Sequence, residues 1–299
     1  MAKVGHSALR DITNRPRPAR NLVDKVGSDR VVPVRGSEDL VLSEECIRDV
    51  ILTLQRSERM YRVSRDYLAD VQKDISKSMR SLLVDWLIEV SEEYRLLPET
   101  LHLAMNYLDR FLQMVCVDRS RLQLVGLSCL LLASKVEEVY PPLVDDLVFI
   151  CDYTYTREEV IEMESLVVST LEFRLTVTTM FPFMHILLRA CVVDSRLDQL
   201  ASFLADLSLL NYSLVTYLPS TIAAACVYVA RRSLNMPGWN DELERASNLV
   251  LRDIQNPARE LLIQWRKYVS PACTLHSVRD KYSGSQYSGI ESMLPPTVL

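Results

Sequence analysis

The sequence predicts an all-α protein, built as two tandem five-helix repeats preceded by one further helix. Three observations carry that expectation. Apolar residues recur at spacings of three and four, the period of one helical face. Seven Gly in 299 residues leave few of the turn signals that punctuate a β-rich chain. Two strongly apolar stretches, Leu122–Lys135 and Pro219–Arg232, also lie on each other without a gap. Gly126 then meets Ala223, Ser128 meets Ala225, Cys129 meets Cys226 and Ala133 meets Ala230. Small residues at matched positions in two apolar helices indicate an internal repeat.

The elements follow in order. Residues 1–40 read as a basic, disordered regulatory tail, with isolated apolar residues and Pro16, Pro18 and Pro33 against any helix. Arg15-Pro-Arg-Pro-Ala-Arg20 within it reads either as solvated charge or as a nuclear-import patch. Residues 41–78 hold the N-terminal helix and a linker. The helix runs from Ser43, an N-cap, to about Met60, with Glu44 and Glu45 in its first turn and Ile47, Val50, Ile51 and Leu54 as its apolar stripe. Residues Arg62 to Ser78 are the linker.

The first repeat, 79–176, opens with Met79-Arg80-Ser81-Leu82-Leu83-Val84-Asp85-Trp86-Leu87-Ile88-Glu89, where Met79, Leu82, Leu83, Trp86, Leu87 and Val90 share a face. Pro98-Glu99 starts a second helix with Leu101, Met105, Leu108 and Leu112 on one side. Leu122 to Lys135 is apolar all round, the expected buried centre, and its small residues let neighbours come close. Tyr140-Pro141-Pro142 is a stop, and Thr156-Arg-Glu-Glu159 is a capping box. The second repeat, 177–270, has its own central helix from Pro219, with LDQLASFLADLSLL before it and NPARELLIQWRKYV after it. Residues 271–299 form an extension without periodicity.

Composition excludes several functions. A net charge of −5 argues against nonspecific nucleic-acid binding. No apolar run approaches the roughly 20 residues of a bilayer span, and no secretory signal opens the chain. The odd set of seven Cys, with no Cys-x-x-Cys pair, reads as buried reduced thiols of an intracellular protein. The four His have no zinc-like spacing. There is no glycine loop for phosphates and no nucleophile–base pair at useful spacing, so neither a catalytic residue nor a metal or cofactor is expected.

The wording of these segments resembles the cyclin family. MRSLLVDWLIEV is similar to the opening of a cyclin box. EVSEEYRLLPETLHLAMNYLDRFL, LQLVG, LLASKVEEVYPP and YTREEVIEMESLVVSTLEFRL continue the likeness, which covers residues 43–299 and leans from the A/B (mitotic) group to the A type. The resemblance implies a non-catalytic regulatory subunit that binds and activates a cyclin-dependent Ser/Thr kinase, helps recruit substrates and controls progression through S phase, G2 and mitosis. It also implies a protein of nucleus and cytoplasm, the nucleus favoured. A cyclin-box transcription factor and a helical adaptor without a kinase stay open as alternatives.

Charged residues set in apolar helices are paired, solvent-facing at a helix edge, or reserved for a partner. By resemblance, Arg80 pairs with Asp109 inside the first repeat. Lys135 and Glu164 face the kinase together with Phe173 and Leu175, for which packing at the repeat junction is the competing reading. Met79, Leu82, Leu83, Trp86 and Glu89, with Leu122 and Gln123, form a shallow groove for Arg-x-Leu motifs of substrates and inhibitors; packing in the core is the competing reading of the apolar members. In the tail, Leu9, Ile12 and Asn14 match a destruction box read by ubiquitin-ligase machinery, but His6 stands where the family has Arg.

Overall fold

Capping chemistry and buried apolar faces place the helices; a computed structural model describes residues 44–191, 194–287 and 289–297. In chain order these are α1 (Glu44–Glu58), the single turn α2 (Tyr67–Asp70), then α3 (Lys77–Glu93), α4 (Pro98–Leu112), α5 (Leu122–Glu137), α6 (Val144–Ile150) and α7 (Arg157–Thr170). A second five follows: α8 (Phe181–Arg189), α9 (Ser195–Leu209), α10 (Pro219–Ser233), α11 (Asp241–Ser247) and α12 (Leu251–Tyr268). A short α13 (Ser277–Lys281) closes the set. Among the described residues there is no strand.

One register relates the two fives. The shift that carries Pro98 onto Ser195 carries the whole of α4 onto α9 and the whole of α6 onto α11. It also carries the first residue of α5 onto the first residue of α10. The central helices sit as their composition demands. Every residue of α5 from Leu124 to Ser134 is buried, and α10 is buried from Ala223 to Arg231. A Cβ on Gly126 would stand 2.9 Å from Leu83 Cδ1, so α3 and α5 approach closely only because that side chain is missing. The Thr156 hydroxyl accepts from Glu159 N at 3.2 Å and the Glu159 carboxylate accepts from Thr156 N at 2.9 Å, which starts α7.

Three expectations need revision, and the extension gains a helix. The α3 helix begins at Lys77 rather than Met79, because the Ser76 hydroxyl accepts from Met79 N. The linker contains α2, nucleated by Asp66 accepting from Ala69 N and by fully buried Tyr67. The last helix of the second repeat starts at Leu251 and runs through Pro257, with the Asp253 carboxylate accepting from Val250 N. The extension, without periodicity, nonetheless carries a helix. Its helix α13 is too short to show a period; it is held by tertiary contacts, Asp85 of α3 accepting from His276 N and Ser277 N.

The repeats meet over buried charge. Arg80 of α3 reaches across to the Leu209 carbonyl of α9, while His102 of α4 lies 3.3 Å from Asp206 of α9. Lys281 Nζ sits 3.0 Å from the second oxygen of Asp206, and Tyr282 donates to that oxygen. Glu58 of α1 accepts from the Ser220 amide and hydroxyl at the start of α10. A cavity of about 110 Å³ remains between the repeats, bordered by Glu58, Arg80, His102, Asn106, Asp109 and Ser208.

Asp206 yields a pH prediction. Burial pushes its carboxyl up, but Lys281 and His102 outweigh burial and hold it down to about 2. A depressed carboxylate stabilises the fold above its unfolded pKa of 3.8 and loses that contribution as pH falls through about 2. The loss amounts to about 2 kcal/mol between these values. Glu58 and Asp85, both pushed up by burial, slope the opposite way at higher pH. Urea midpoints of the wild type should therefore fall between pH 4 and pH 2, and Asp206→Asn should flatten that limb while lowering stability at neutral pH. Equal limbs in both proteins would contradict the assignment.

Candidate functional site

Lys135 lies in the last turn of α5, where the helix leaves the core. Its ammonium lies 2.6 and 2.8 Å from the two carboxylate oxygens of Glu164 on α7. The Lys135 side chain is 44% exposed and that of Glu164 14%. Exposed apolar residues flank the pair in the chain, Val136 and Val139 after Lys135 and Ile161 one turn before Glu164, alongside exposed Glu137 and Glu162. Monomeric surfaces seldom leave such groups together in water.

Phe173 follows the end of α7 at the turn that joins the repeats. Glu172 and Phe173 both adopt positive φ, 55° and 57°, in the left-handed region that disfavours bulky side chains. The Phe173 amide donates to the Val168 carbonyl, closing the helix, and the ring is left 76% exposed. Leu175 is half-buried against the core, and its carbonyl accepts from the Tyr107 hydroxyl of α4 at 2.7 Å. Arg110 of α4 donates to the Arg174 carbonyl at 3.0 Å. Two helix-borne donors thus hold the backbone of a turn whose aromatic side chain has no interior to enter.

The outward face of α3 is a third feature. Its buried stripe is Arg80, Leu83, Val84, Leu87, Ile88 and Ser91. Met79, Leu82 and Trp86 stand beside that stripe, half-buried, and Glu89 is exposed. Gln123 at the start of α5 is half-buried. Leu83 and Leu122 are wholly buried and supply the floor beneath this face, not its surface. An open cleft of about 760 Å³ adjoins it, walled by Ser78, Ser81 and Leu82 of α3 on one side and by α12 and residues 270–275 on the other. Glu89 Oε1 lies 3.9 Å from His276 Nδ1, and His276 also meets Asp280 at 3.2 Å.

Arg80 and Asp109 lie together and deep. Arg80 makes a two-pronged pair with the carboxylate at 2.8 and 2.7 Å, and the Tyr67 hydroxyl donates to the same carboxylate at 2.6 Å. Their place is the junction of the repeats, away from solvent. Sequence reasoning missed three partners: Tyr67, the Leu209 carbonyl and the Asp206–His102–Lys281 group. Only Asp206 left a signal, an acid inside the apolar run LASFLADLSLL at the position that matches Asp109. His6, Leu9, Ile12 and Asn14 lie outside the described residues.

For chemistry the described residues offer little. Burial pushes the Cys129 and Cys226 thiols up, so they are poor nucleophiles. Among the described residues no cluster of His, Cys, Asp and Glu is arranged to hold a metal, and no helix is long and apolar enough to cross a membrane.

Comparison with known proteins agrees with this architecture. The chain matches the cyclin N-terminal domain over residues 49–176 and the cyclin C-terminal domain over residues 178–296. It is 39% identical over 284 residues to Cyclin-A1-4 of Oryza sativa subsp. japonica, covering 92% of this chain and 79% of that one. It is 41% identical over 263 residues to Cyclin-A1 of Homo sapiens, covering 87% of this chain but only 56% of the human protein. A viral cyclin from herpesvirus saimiri shares the fold with a TM-score of 0.66 at 23% identity, over 76% of this chain and 99% of that one. With both domains matched in tandem and A-type relatives similar along most of its length, the chain belongs to the cyclin family.

Proposed function

We propose that this chain is the regulatory subunit of a cyclin-dependent Ser/Thr kinase, acting in cell-cycle control by presenting a preformed surface and no chemistry. The observation that carries the reading is the Lys135–Glu164 pair, solvent-accessible and set among exposed Val136, Val139 and Ile161. An active kinase needs its strand lysine paired with the glutamate of its mobile αC helix. A partner that binds only the αC-in arrangement shifts the equilibrium by its differential affinity. Lys135 supplies ammonium donors for backbone carbonyls, and Glu164 supplies acceptors for backbone amides. Phe173, already exposed by its strained turn, and half-buried Leu175 add apolar contact at little reorganisation cost.

The outward face of α3 is read as the docking groove for Arg-x-Leu motifs in substrates and inhibitors. Met79, Leu82 and Trp86 offer an apolar trough on a rigid helix, Gln123 stands at the start of α5, and Glu89 offers a carboxylate for the motif's Arg. The tail carries the instability signal, read by ubiquitin-ligase machinery through Leu9, Ile12 and Asn14 and weakened by His6. The nucleus, with the cytoplasm second, is the expected compartment, and the measurement is the distribution of a tagged chain with and without Arg15 to Arg20; exclusive cytoplasmic retention of the intact chain would contradict it.

Three tests separate these roles. Exposed ion pairs contribute about 0–1 kcal/mol to stability, whereas truncating a desolvated interface charge costs about 2–5 kcal/mol of binding. A Lys135→Ala, Glu164→Ala variant should therefore keep its melting temperature within a few degrees and lose roughly 30-fold or more in kinase affinity; normal activation by it would refute the assignment. Met79→Ala with Trp86→Ala should leave phosphorylation of a short peptide intact and abolish the advantage of substrates bearing Arg-x-Leu. Aggregation, or equal loss on both substrates, would return these side chains to the core. Deleting residues 1–40 should lengthen the half-life in mitotic cells; if neither the deletion nor His6→Arg changes it, the tail is no degradation signal.

A further inference from the structure

The tail contains its own Arg-x-Leu sequence, Arg20-Asn21-Leu22, followed by apolar Val23. Five other such triplets exist, starting at Arg80, Arg95, Arg110, Arg232 and Arg259. All five lie in helices, at a helix end or in the turn between α3 and α4, where folding has committed the backbone. The triplet at Arg20 alone precedes the first described helix. We propose that residues 20–23 dock on the outward face of α3 of the same chain, so that the protein competes with its own substrates for the groove. The proposal rests on the docking reading given above.

Three features of the molecule support it. The first is chemical fit. Glu89 is an exposed carboxylate on α3, while Met79, Leu82 and Trp86 are half-buried beside it. Arg20 has the charge for Glu89, and Leu22 with Val23 has the apolar bulk for the trough. The second is charge. Residues 1–40 hold eight Lys and Arg against five Asp and Glu, within a chain whose net charge is −5. A basic segment is thus tethered to an acidic body, which favours encounter. The third is reach. Leu22 and Glu44 are separated by a stretch that spans up to about 70 Å when extended. A folded body of this size has a radius of gyration of about 18 Å. That reach exceeds the diameter of such a body, about 46 Å.

Tethering makes even a weak motif effective. A tether of this length presents its motif at an effective concentration of about 1 mM. If the isolated motif binds with a Kd of roughly 0.1 mM, it occupies the groove about nine-tenths of the time and raises the apparent Kd of a competing peptide about tenfold. A substrate with a stronger motif, or one engaged at a second point on the kinase, would displace it. The tail would then act as a threshold that screens out weak motifs.

The test is fluorescence anisotropy with a labelled Arg-x-Leu peptide on the full chain. It uses wild type, Arg20→Ala with Leu22→Ala, and Leu22→Ala alone, which leaves the basic patch Arg15 to Arg20 intact. All three proteins share the same sequence over residues 44–297. Both variants should bind the peptide about tenfold more tightly than wild type, at every protein concentration. Equal, measurable affinity in all three proteins would overturn self-docking and leave the groove reading standing. A difference that grows with protein concentration, with dimers in sedimentation, would replace it by docking between copies. No binding by any of the three, under conditions where the kinase is still activated, would overturn the groove reading and the proposal with it.

Discussion

Arg80 is withdrawn from water, 1% exposed, and the fold has to find acceptors for its guanidinium. Asp109 takes two of the bonds, the Tyr67 hydroxyl takes a share of Nε, and the Leu209 carbonyl takes Nη1 from the other repeat. Each acceptor belongs to a different element: α2, α4 and α9. A buried pair of this kind adds little net stability over apolar packing of the same shape, yet removing one partner costs about 3–5 kcal/mol. Its role is therefore geometric. It fixes where the segment before the first repeat lies and how the second repeat seats on the first.

The second repeat answers with its own acid. The register that lays Gly126 on Ala223 lays Asp109 on Asp206, and both are buried at the junction. The partners differ. No Arg matches Arg80, since Val177 stands there; Asp206 instead takes His102 from the first repeat and Lys281 from the extension. The same register shows why the surface proposed to meet the kinase belongs to the first repeat alone. Lys135 falls on Arg232, still exposed, but Glu164 falls on Leu261, which is fully buried. Duplication preserved the scaffold, while the exposed pair exists once.

How much of this was legible follows from which forces act locally. The helices were readable because a helical face is a local period, and the repeat because small residues mark helix crossings at fixed spacing. The capping box at Thr156 was readable from four residues. The α2 turn and α13 were not, because one turn of helix carries no period and both are held by distant partners: Tyr67 by Asp109, and the start of α13 by Asp85. Of the site residues, Lys135, Glu164 and Glu89 stood out as charges in apolar runs. The burial of Leu83 did not, since a leucine on the shared face of α3 reads the same whether it lines a groove or floors it. The left-handed backbone at Phe173 left no glycine to announce it.

The α3 helix shows how these demands coexist in one segment. Its inward stripe, Arg80, Leu83, Val84 and Leu87, carries the core and the ion pair. A second stripe, Asp85, Glu89 and Glu92, meets the extension: Asp85 accepts the amides that begin α13, Glu92 takes Lys281 at 3.1 Å, and Glu89 lies 3.9 Å from His276. Met79, Leu82 and Trp86 occupy the remaining arc. The extension thereby sets one wall of the face on which docking is proposed and holds its carboxylate stripe in place. Substitutions on α3 should therefore be sorted by stripe. Inward changes act through stability, those of the acidic stripe through the seating of α13, and those of the outer arc through the face on which docking is proposed.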